Sequence, residues 1–357
     1  MVVNRLINDN YDVLVGDEDV LRELDSFLLS NYKGASVFIL CDTNTLSECL
    51  PKLDWMELES IKDAEVLEVE PGEGSKSIEV YHQVLETLLA LGADRSSILV
   101  NLGGGVISDL GGFVASTFKR GIDFVNVPTS LLAMVDASVG GKTGINSIEA
   151  KNQIGTFCEP KAVFISTVFL ETLPEPELKS GIGEMVKHLL ISDENALQKL
   201  DEGLFEVSSD SIATTAQVKL DLVTEDFTEQ GVRKALNYGH TFGHAAESYF
   251  QEKEKSIPHG IAVLIGIVLE NNLAVELKLL SKEDSQSIFS WINSNFEIEK
   301  YFTDLEVEKV LELIKFDKKN RGDSVSFSLI GPIGKCNIDV QPTLNQIEAS
   351  LSFITVY

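Results

Sequence analysis

The sequence predicts two domains, an α/β domain over residues 1–175 and a mainly α-helical domain over residues 176–357. Three observations support this division. A chain of 357 residues is long for a single hydrophobic core. Short β-branched runs alternate with amphipathic stretches in the first half, whereas apolar residues recur at helical spacing in the second. Pro174 and Pro176 interrupt both patterns, and we place the boundary beside them.

The predicted elements of the first domain follow one another as in a sheet layered with helices. In order they are strand 11–15, helix 20–29, strand 36–41, strand 66–69, helix 78–91 and strand 97–102. Asp42 follows a strand, where an acidic residue either holds a ribose hydroxyl or simply shapes a turn.

The strand at 97–102 runs into the glycine turn Gly103-Gly104-Gly105, which opens another helix. Glycines let a backbone approach phosphate closely, and the amino end of a helix offers free N–H groups to an anion. Ser108 stands where a dinucleotide fingerprint has its third glycine, so this motif fits nucleotide binding and a tight structural turn equally well. Nucleotide binding would make the sheet Rossmann-like.

The second domain is predicted to be mainly helical. Its helices are expected at 183–191, 211–223, 234–250, 259–280 and 305–314, and a strand pair at 325–330 and 335–338 closes the chain.

Composition excludes several classes of partner. With 29 basic and 56 acidic residues the net charge is −27, which disfavours nucleic acids and anionic membranes. An anionic small substrate would need a local basic pocket. The four cysteines are scattered, as in a reducing cytosol, and neither an amino-terminal signal segment nor an apolar run of membrane-spanning length is evident. We therefore expect a cytoplasmic protein with no nucleic-acid or membrane partner.

Histidines are concentrated in one stretch. His240, His244 and His259 are three of only five in the chain, and the first two share one helical face. Imidazole suits both metal binding and proton transfer. Glu184 together with two of these histidines would form a three-ligand set typical of catalytic zinc. Spacing leaves open whether His244 or His259 completes the set, and whether Glu184 instead forms a surface pair with His188. The fifth histidine, His82, is predicted to be solvated.

Several cations stand in glycine-rich or apolar surroundings, where a long basic side chain usually has an anionic target. They are Arg120, Lys142, Lys151 and Arg233. Lys142 does not belong to a nucleoside-triphosphate loop, because Asp136 occupies the position where that motif requires glycine.

Seven segments, taken in chain order, form a specific set. They are 103–109, 120–121, 128–136, 138–146, 151–152, 183–187 and 237–244. Together they resemble the 3-dehydroquinate synthase family of sugar-phosphate cyclases, and the match extends over nearly the whole chain.

That resemblance implies a lyase of the shikimate route that uses NAD and one divalent metal, Zn or Co, in a cleft between the two domains. The implied substrate is 3-deoxy-D-arabino-heptulosonate 7-phosphate, an anionic sugar phosphate, and the implied assembly is a homodimer. The implied metal ligands are Glu184, His240 and His259. The implied catalytic residues are Asp136, Lys142, Lys151, Asn152, Lys187 and His244, and the implied substrate contacts are Arg120, Lys219, Arg233, Asn237 and Lys318, with Lys319 as the alternative to Lys318. The implied NAD contacts are Asp42, Asn44, Glu73, Lys76, Gly104, Gly105, Val106, Ile107, Asp109, Thr129, Ser130, Phe169, Leu170, Glu171 and Thr172.

The chain departs from the family pattern at three places. Ser130 replaces a threonine, Ile261 replaces a common glutamate, and an insert at 247–256 lengthens the spacing between His240 and His259. Two other enzyme readings are a related cyclase such as 2-deoxy-scyllo-inosose synthase and a metal-dependent alcohol dehydrogenase. A nucleotide-binding regulatory protein is the non-enzymatic reading.

Overall fold

The computed structural model describes residues 3–8, 10–53, 58–147, 151–202, 206–321 and 325–354, without the side chains of residues 315–321. The chain forms two compact units. The first contains residues Met1–Leu178 and Val207–Thr228, and the second contains Lys179–Glu206 and Glu229–Tyr357. The predicted boundary at 175/176 stays a prediction, and the first unit also takes in residues beyond it.

The first unit is built on a seven-stranded sheet. Its strands are β1 (Asn4–Leu6), β2 (Asp12–Gly16), β3 (Val37–Asp42), β4 (Glu65–Val69), β5 (Ile98–Gly103), β6 (Asp123–Pro128) and β9 (Ala162–Ser166). The order across the sheet is β1-β2-β9-β6-β5-β3-β4, and all pairs except β1 with β2 are parallel. Strands β7 (Lys142–Ile145) and β8 (Ile154–Phe157) form a separate antiparallel pair.

The strand order locates the point where a ligand is expected. From β3 the chain moves outward to β4 and then returns past β3 to β5 on the other side. In open α/β sheets ligands bind beyond the carboxyl ends of the strands at such a reversal. The glycine turn at the end of β5 and Asp42 at the end of β3 therefore flank the expected binding point.

Thirteen α-helices occur in the described part of the chain. They are α1 (Asp19–Asn31), α2 (Thr43–Glu48), α3 (Ile78–Ala90), α4 (Gly105–Thr117), α5 (Glu175–Ser192), α6 (Ala196–Asp201), α7 (Ser209–Glu225), α8 (His240–Glu252), α9 (His259–Glu276), α10 (Lys282–Phe296), α11 (Glu299–Phe302), α12 (Val307–Arg321) and α13 (Leu344–Leu351).

Burial follows from the sequence pattern. Every residue of β5 is buried, as expected for a central parallel strand covered on both faces. Leu99 and Leu40 of the sheet, Leu88 of α3 and Leu110 of α4 share one hydrophobic core.

Ser77 accepts a hydrogen bond from the Val80 N–H and so caps the amino end of α3.

The second unit is helical, with one antiparallel pair, β10 (Phe327–Ile330) and β11 (Cys336–Val340). The strand pair predicted near the carboxyl end is confirmed.

Helix α9 is long and apolar enough to cross a membrane by length and composition, but 78% of it is buried, which is what a core helix of a globular unit shows.

Four predicted helix boundaries are wrong, and one of them is the end of α12, which lies at Arg321 rather than near 314. Helix α5 begins at Glu175 rather than near 183, because Pro176 lies in its first turn, where a missing N–H costs nothing. The helix predicted at 234–250 begins only at His240, since Gly239 adopts a left-handed conformation with φ 81°. Helix α9 ends at Glu276, four residues before the predicted end.

Candidate active site

Three side chains of the second unit lie close together, and they are the three that the family resemblance implies as metal ligands. Glu184 lies in α5, while His240 and His259 are the first residues of α8 and α9. Oε1 of Glu184 is 3.7 Å from Nε2 of His240 and 3.4 Å from Nε2 of His259. One ligand atom from each of the three residues lies within 4.8 Å of the others.

This set fits a divalent metal. Zinc bonds of about 2.0–2.2 Å to nitrogen and carboxylate oxygen place donors roughly 3.3–3.6 Å apart on a tetrahedral ion, close to the observed separations. Two imidazoles and one carboxylate also match the donor set of a catalytic zinc, which keeps a coordination position for substrate. The alternative of a surface pair between Glu184 and His188 is wrong, because these residues are 1% and 0% exposed.

Glycines allow the helices that carry Glu184, His240 and His259 to approach one another closely. A Cβ at Gly260 would lie 1.9 Å from the Ser180 carbonyl oxygen, and a Cβ at Gly183 would lie 2.5 Å from the Gly260 carbonyl oxygen. The Gly260 N–H also donates to Oγ of Ser180 at 2.9 Å. Helices α5 and α9 are thus in backbone contact next to Glu184 and His259.

Helices α8 and α9 meet in the same way. A Cβ at Gly266 would lie 1.9 Å from the Gly239 carbonyl oxygen, immediately before His240. A Cβ at Gly243 would lie 2.9 Å from the Ala262 carbonyl oxygen. Only glycine permits these distances, so the positions of His240 and His259 depend on them.

A buried carboxylate fixes the start of α8. The residue before this helix, Gly239, has no side chain that could cap it. Instead, Glu270 of α9, which is 0% exposed, accepts the N–H groups of Gly239 at 2.6 Å, Thr241 at 3.0 Å and Phe242 at 3.4 Å. Burial raises the pKa of Glu270 to about 8, against the opposing effect of these hydrogen bonds. No local pattern in the sequence indicates this contact.

The pKa values of the two histidines in this set are shifted in opposite directions. Burial, and then the charge of Lys187, holds the pKa of His240 well below its usual range, so this ring is neutral and able to bind a metal. Burial also opposes a charge on His259, but hydrogen bonds with Glu184 and Glu247 raise its pKa to about 9. A metal at Nε2 would displace that proton.

His244 lies one turn after His240, with the ring centroids 5.2 Å apart. It is exposed, and it forms a second close group with Glu247 and His259. The spacing of His240 and His244 predicted that they share a helical face, whereas Glu247 was assigned only to an insert and not to the site. Positions 240, 244 and 247 follow helical periodicity, which was the available signal.

The second unit also contains Lys187, an implied catalytic residue, and Arg233 and Asn237, two implied substrate contacts. Lys187 forms an ion pair with Glu184 and is 1% exposed. Arg233 is also 1% exposed, and Nδ2 of Asn237 donates to Oε1 of Glu229 at 2.8 Å. The side chains of Lys318 and Lys319 fall outside the described residues.

In the first unit, Lys76 joins three predicted residues. Its Nζ is 2.7 Å from Oδ2 of Asp109, 2.5 Å from Oδ1 of Asn152 and 3.6 Å from Oε1 of Glu73. Burial lowers the pKa of Lys76, but the charges of Asp109 and Glu73 outweigh it and raise the pKa overall. A cavity of about 680 Å³ is lined by residues that include Glu73, Lys76 and Asn146.

The predicted NAD contacts of this unit all lie at or after the carboxyl ends of parallel strands. Asp42 ends β3 and Asn44 follows it, Glu73 and Lys76 follow β4, Gly104, Gly105 and Asp109 follow β5, Thr129 and Ser130 follow β6, and the turn Thr167–Thr172 follows β9. Asp42 also has a structural task, since its Oδ1 accepts the Thr45 N–H at 2.8 Å and caps α2.

The glycine turn itself is closely packed. A Cβ at Gly104 would lie 3.2 Å from Oγ of Ser130, and one at Gly105 would lie 3.1 Å from the Ala137 Cβ. The turn therefore serves close packing, and it also presents the amino end of α4 at the expected binding edge.

Other predicted catalytic and substrate residues have defined places in the first unit. Nζ of Lys219, on α7, is 2.9 Å from Oδ1 of Asp136 and donates to the Asp136 carbonyl oxygen at 2.6 Å. Lys142 begins β7, and Lys151 and Arg120 are exposed. Outside the site, His82 is exposed as predicted, with 70% of its side chain accessible.

Comparison with solved structures shows the fold. The chain superposes on a 2-deoxy-scyllo-inosose synthase complexed with carbaglucose-6-phosphate, NAD+ and Co2+, with a TM-score of 0.82 and 23% identity over 98% of this chain and 99% of that chain. It also superposes on a 2-epi-5-epi-valiolone synthase from Streptomyces hygroscopicus with NAD+ and Zn2+ bound, with a TM-score of 0.80 and 23% identity over 100% of this chain and 99% of that chain.

Comparison of sequences shows the family. A curated 3-dehydroquinate synthase of Parabacteroides distasonis is 40% identical over 341 residues, covering 94% of this chain and 96% of the relative. That of Alkaliphilus oremlandii is 36% identical over 338 residues, covering 92% and 90%. The models of the 3-dehydroquinate synthase N-terminal and C-terminal regions match residues 66–180 and 181–320. The chain therefore belongs to the 3-dehydroquinate synthase family.

Proposed function

We propose that this chain converts 3-deoxy-D-arabino-heptulosonate 7-phosphate to 3-dehydroquinate and phosphate, as a carbon–oxygen lyase that uses NAD and one divalent metal, Zn or Co. The observation that carries the proposal is the convergence of Glu184, His240 and His259 in a chain that aligns with 3-dehydroquinate synthases over more than nine-tenths of its length. Solved cyclases of the same fold hold NAD+ with Co2+ or Zn2+.

Glu184, His240 and His259 would hold the metal. When bound, it supplies Lewis acidity toward a substrate hydroxyl, and NAD supplies a reversible hydride acceptor. The low pKa of His240 keeps its ring available as a ligand without loss of a proton. The buried carboxylate of Glu184 supplies negative charge, so the ligand set leaves one positive charge on a divalent ion.

The residues after the parallel strands would hold NAD. The glycine turn and the amino end of α4 suit a pyrophosphate, because they offer N–H groups and positive potential without side-chain bulk. Lys76 is held in place by Asp109 and Asn152, so its ammonium is oriented before a ligand arrives. The predicted contacts at Asp42, Asn44 and Phe169–Thr172 lie on the same edge of the sheet.

A set of lysines and arginines would bind the two anionic groups of the substrate. Lys187 and Arg233 are each 1% exposed, which is rare for such side chains unless they serve an anion or another charge. Lys142, Lys151, Arg120, Lys219 and Lys318 complete the proposed basic set, with Asp136, Asn152 and Asn237 as polar contacts. A basic set of this kind would offset the overall charge of −27 for an anionic substrate.

His244 is the proposed proton-transfer group. It is exposed and its ring centroid lies 5.2 Å from that of His240 and 5.9 Å from that of His259. Its ring can therefore face the departing phosphate oxygens while its neighbours hold the metal.

The stoichiometry of the reaction tests the proposal. Substrate and the two products contain the same atoms at the same overall oxidation level, so phosphate and 3-dehydroquinate should form in equal amounts without net NADH. Glucose 6-phosphate should release no phosphate under the same conditions. Phosphate release from glucose 6-phosphate alone would favour the related cyclase, and NADH accumulating with simple alcohols would favour a dehydrogenase.

We propose further that the enzyme is a cytoplasmic homodimer in which Arg120 reaches the partner's site. Arg120 is exposed on a turn with φ of 48° at Lys119 and 72° at Arg120. Nη2 of Arg95 donates to the Lys119 carbonyl oxygen at 3.2 Å and stabilises this turn. Arg120→Ala and His240→Ala should each be inactive alone, and mixing them under subunit exchange should restore activity through hybrid dimers. Failure of restoration in verified hybrids would contradict the assignment.

A further inference from the structure

We infer that Glu247 is a positioning residue for the metal ligand His259, holding its imidazole by Nδ1 so that Nε2 is presented to the metal. The inference rests on the proposed ligand role of His259. It concerns a residue of the histidine helix that neither the sequence motifs nor the proposed reaction used.

The two ring nitrogens of His259 face two different carboxylates. Nε2 is 3.4 Å from Oε1 of Glu184, and Nδ1 is 3.3 Å from Oε2 of Glu247. Only 20% of the Glu247 side chain is exposed, and 31% of the His259 side chain. The imidazole is therefore fixed at both edges, in a partly buried place where solvent competes little for the contact.

The chemistry of the pair determines the proton position. A carboxylate has acceptor atoms only, so a hydrogen bond to Glu247 requires the proton on Nδ1. The lone pair of neutral His259 is then on Nε2, the nitrogen that faces Glu184. A carboxylate behind a histidine ligand orients the ring, fixes this tautomer and increases the basicity of the ligand nitrogen.

The contact between Glu247 and His259 also joins helix α8 to the first residue of helix α9. Glu247 lies seven residues after His240 on α8, two turns along the same face. Its partner His259 is the first residue of α9, and the preceding Pro258 provides no side-chain cap. Glu247 therefore restrains the side chain of His259 at the uncapped amino end of α9, next to the backbone contact at Gly260.

A different use of these residues is a second metal position formed by His244, Glu247 and His259, whose ligand atoms also lie within 4.8 Å. Both positions could be filled together only if His259 bound a metal at each nitrogen and lost both ring protons. The positioning role requires no such deprotonation, and it leaves His244 available for proton transfer.

Metal titration of the purified full chain tests the inference. Apoprotein is titrated with Co2+ alone, its visible absorption is followed, and Zn2+ affinity is measured by competition with a chelator. Glu247→Ala should weaken binding of both ions tenfold to a hundredfold and change the Co2+ spectrum. Glu247→Gln should be weakened less, because its amide oxygen still accepts the Nδ1 proton. Glu252→Ala, an exposed change on the same helix, should bind as the unaltered chain does.

The inference is overturned if Glu247→Ala, with an unchanged thermal unfolding midpoint, binds metal within twofold of the Glu252→Ala control. It is also overturned if the unaltered chain binds two Co2+ ions and Glu247→Ala binds one. If Glu247→Ala does not fold, Glu247→Leu, which keeps the side-chain volume without an acceptor for the Nδ1 proton, is compared with the control by the same criterion. Retention of metal by His259→Ala would instead overturn the proposed ligand set on which the inference rests.

Discussion

Replacing Gly260 by alanine should separate the helices that carry Glu184 and His259. The new Cβ would lie 1.9 Å from the Ser180 carbonyl oxygen, 2.6 Å from its carbonyl carbon and 2.8 Å from its Cα. Ordinary nonbonded contact is about 3.5 Å, so the two backbones must move apart by about 1.6 Å. Since all three of these atoms belong to the backbone of Ser180, rotation of a side chain cannot relieve the strain.

The magnitude follows from that displacement. Overpacking of this kind costs about 1–3 kcal/mol of unfolding free energy, and the better helix propensity of alanine returns up to about 1 kcal/mol. Metal–ligand distances in well-formed sites lie within about 0.2 Å of their usual values, so a shift of this size must distort the ligand set. We therefore expect a net loss of about 1–2 kcal/mol of stability together with a loss of Zn2+ affinity well above tenfold.

Urea unfolding of the apoprotein and Zn2+ competition with a chelator measure the two effects separately. Gly74→Ala is the matched control, because nothing lies within 4 Å of its added Cβ. Its stability should change little, and its Zn2+ affinity should be unaltered. If Gly260→Ala matched this control in both measurements, the backbone contact would not determine the ligand geometry.

Two further predictions concern the same helices. The pKa of Glu270 is raised from 4.5 to about 8, so the folded state keeps a proton that the unfolded state loses, and stability should fall as pH rises from about 4.5 to 8 by as much as about 5 kcal/mol. Urea unfolding at pH 5, 6.5 and 8 should show this slope reduced in Glu270→Gln and retained in the exposed Glu276→Gln control, and equal slopes would refute the role of Glu270. His240→Ala should lose bound zinc in elemental analysis, whereas His244→Ala should keep zinc but release phosphate at least a hundredfold more slowly. Zinc retained by the first variant, or normal turnover by the second, would reverse the assignment.

Local pattern was sufficient for much of the fold. Strand β5, its glycine turn and helix α4 follow directly from an apolar run that ends in Gly103. The error at the start of α8 arose because a tertiary contact decides where that helix begins. Glu270, thirty residues later in the chain, accepts the backbone N–H groups that start α8, and no periodicity near His240 contains that information.

The candidate site was predictable in residue type but not in geometry. Spacing placed His240 and His244 on one helical face, yet it could not choose between His244 and His259 as partners of Glu184. That choice depends on close helix contacts at Gly183, Gly260 and Gly266, which appear in the sequence only as isolated glycines. Long-range proximity came from family resemblance, since helical periodicity does not specify which faces meet.

The number of phosphate ions released per NAD tests the central claim most directly. The metal-loaded enzyme is supplied with one NAD per chain and a large excess of 3-deoxy-D-arabino-heptulosonate 7-phosphate, with no other oxidant. If NAD is regenerated within each turnover, many phosphate ions and as many molecules of 3-dehydroquinate should form per NAD, with no accumulation of NADH. A reaction that stops after one turnover per NAD and leaves NADH in solution would contradict the proposed function.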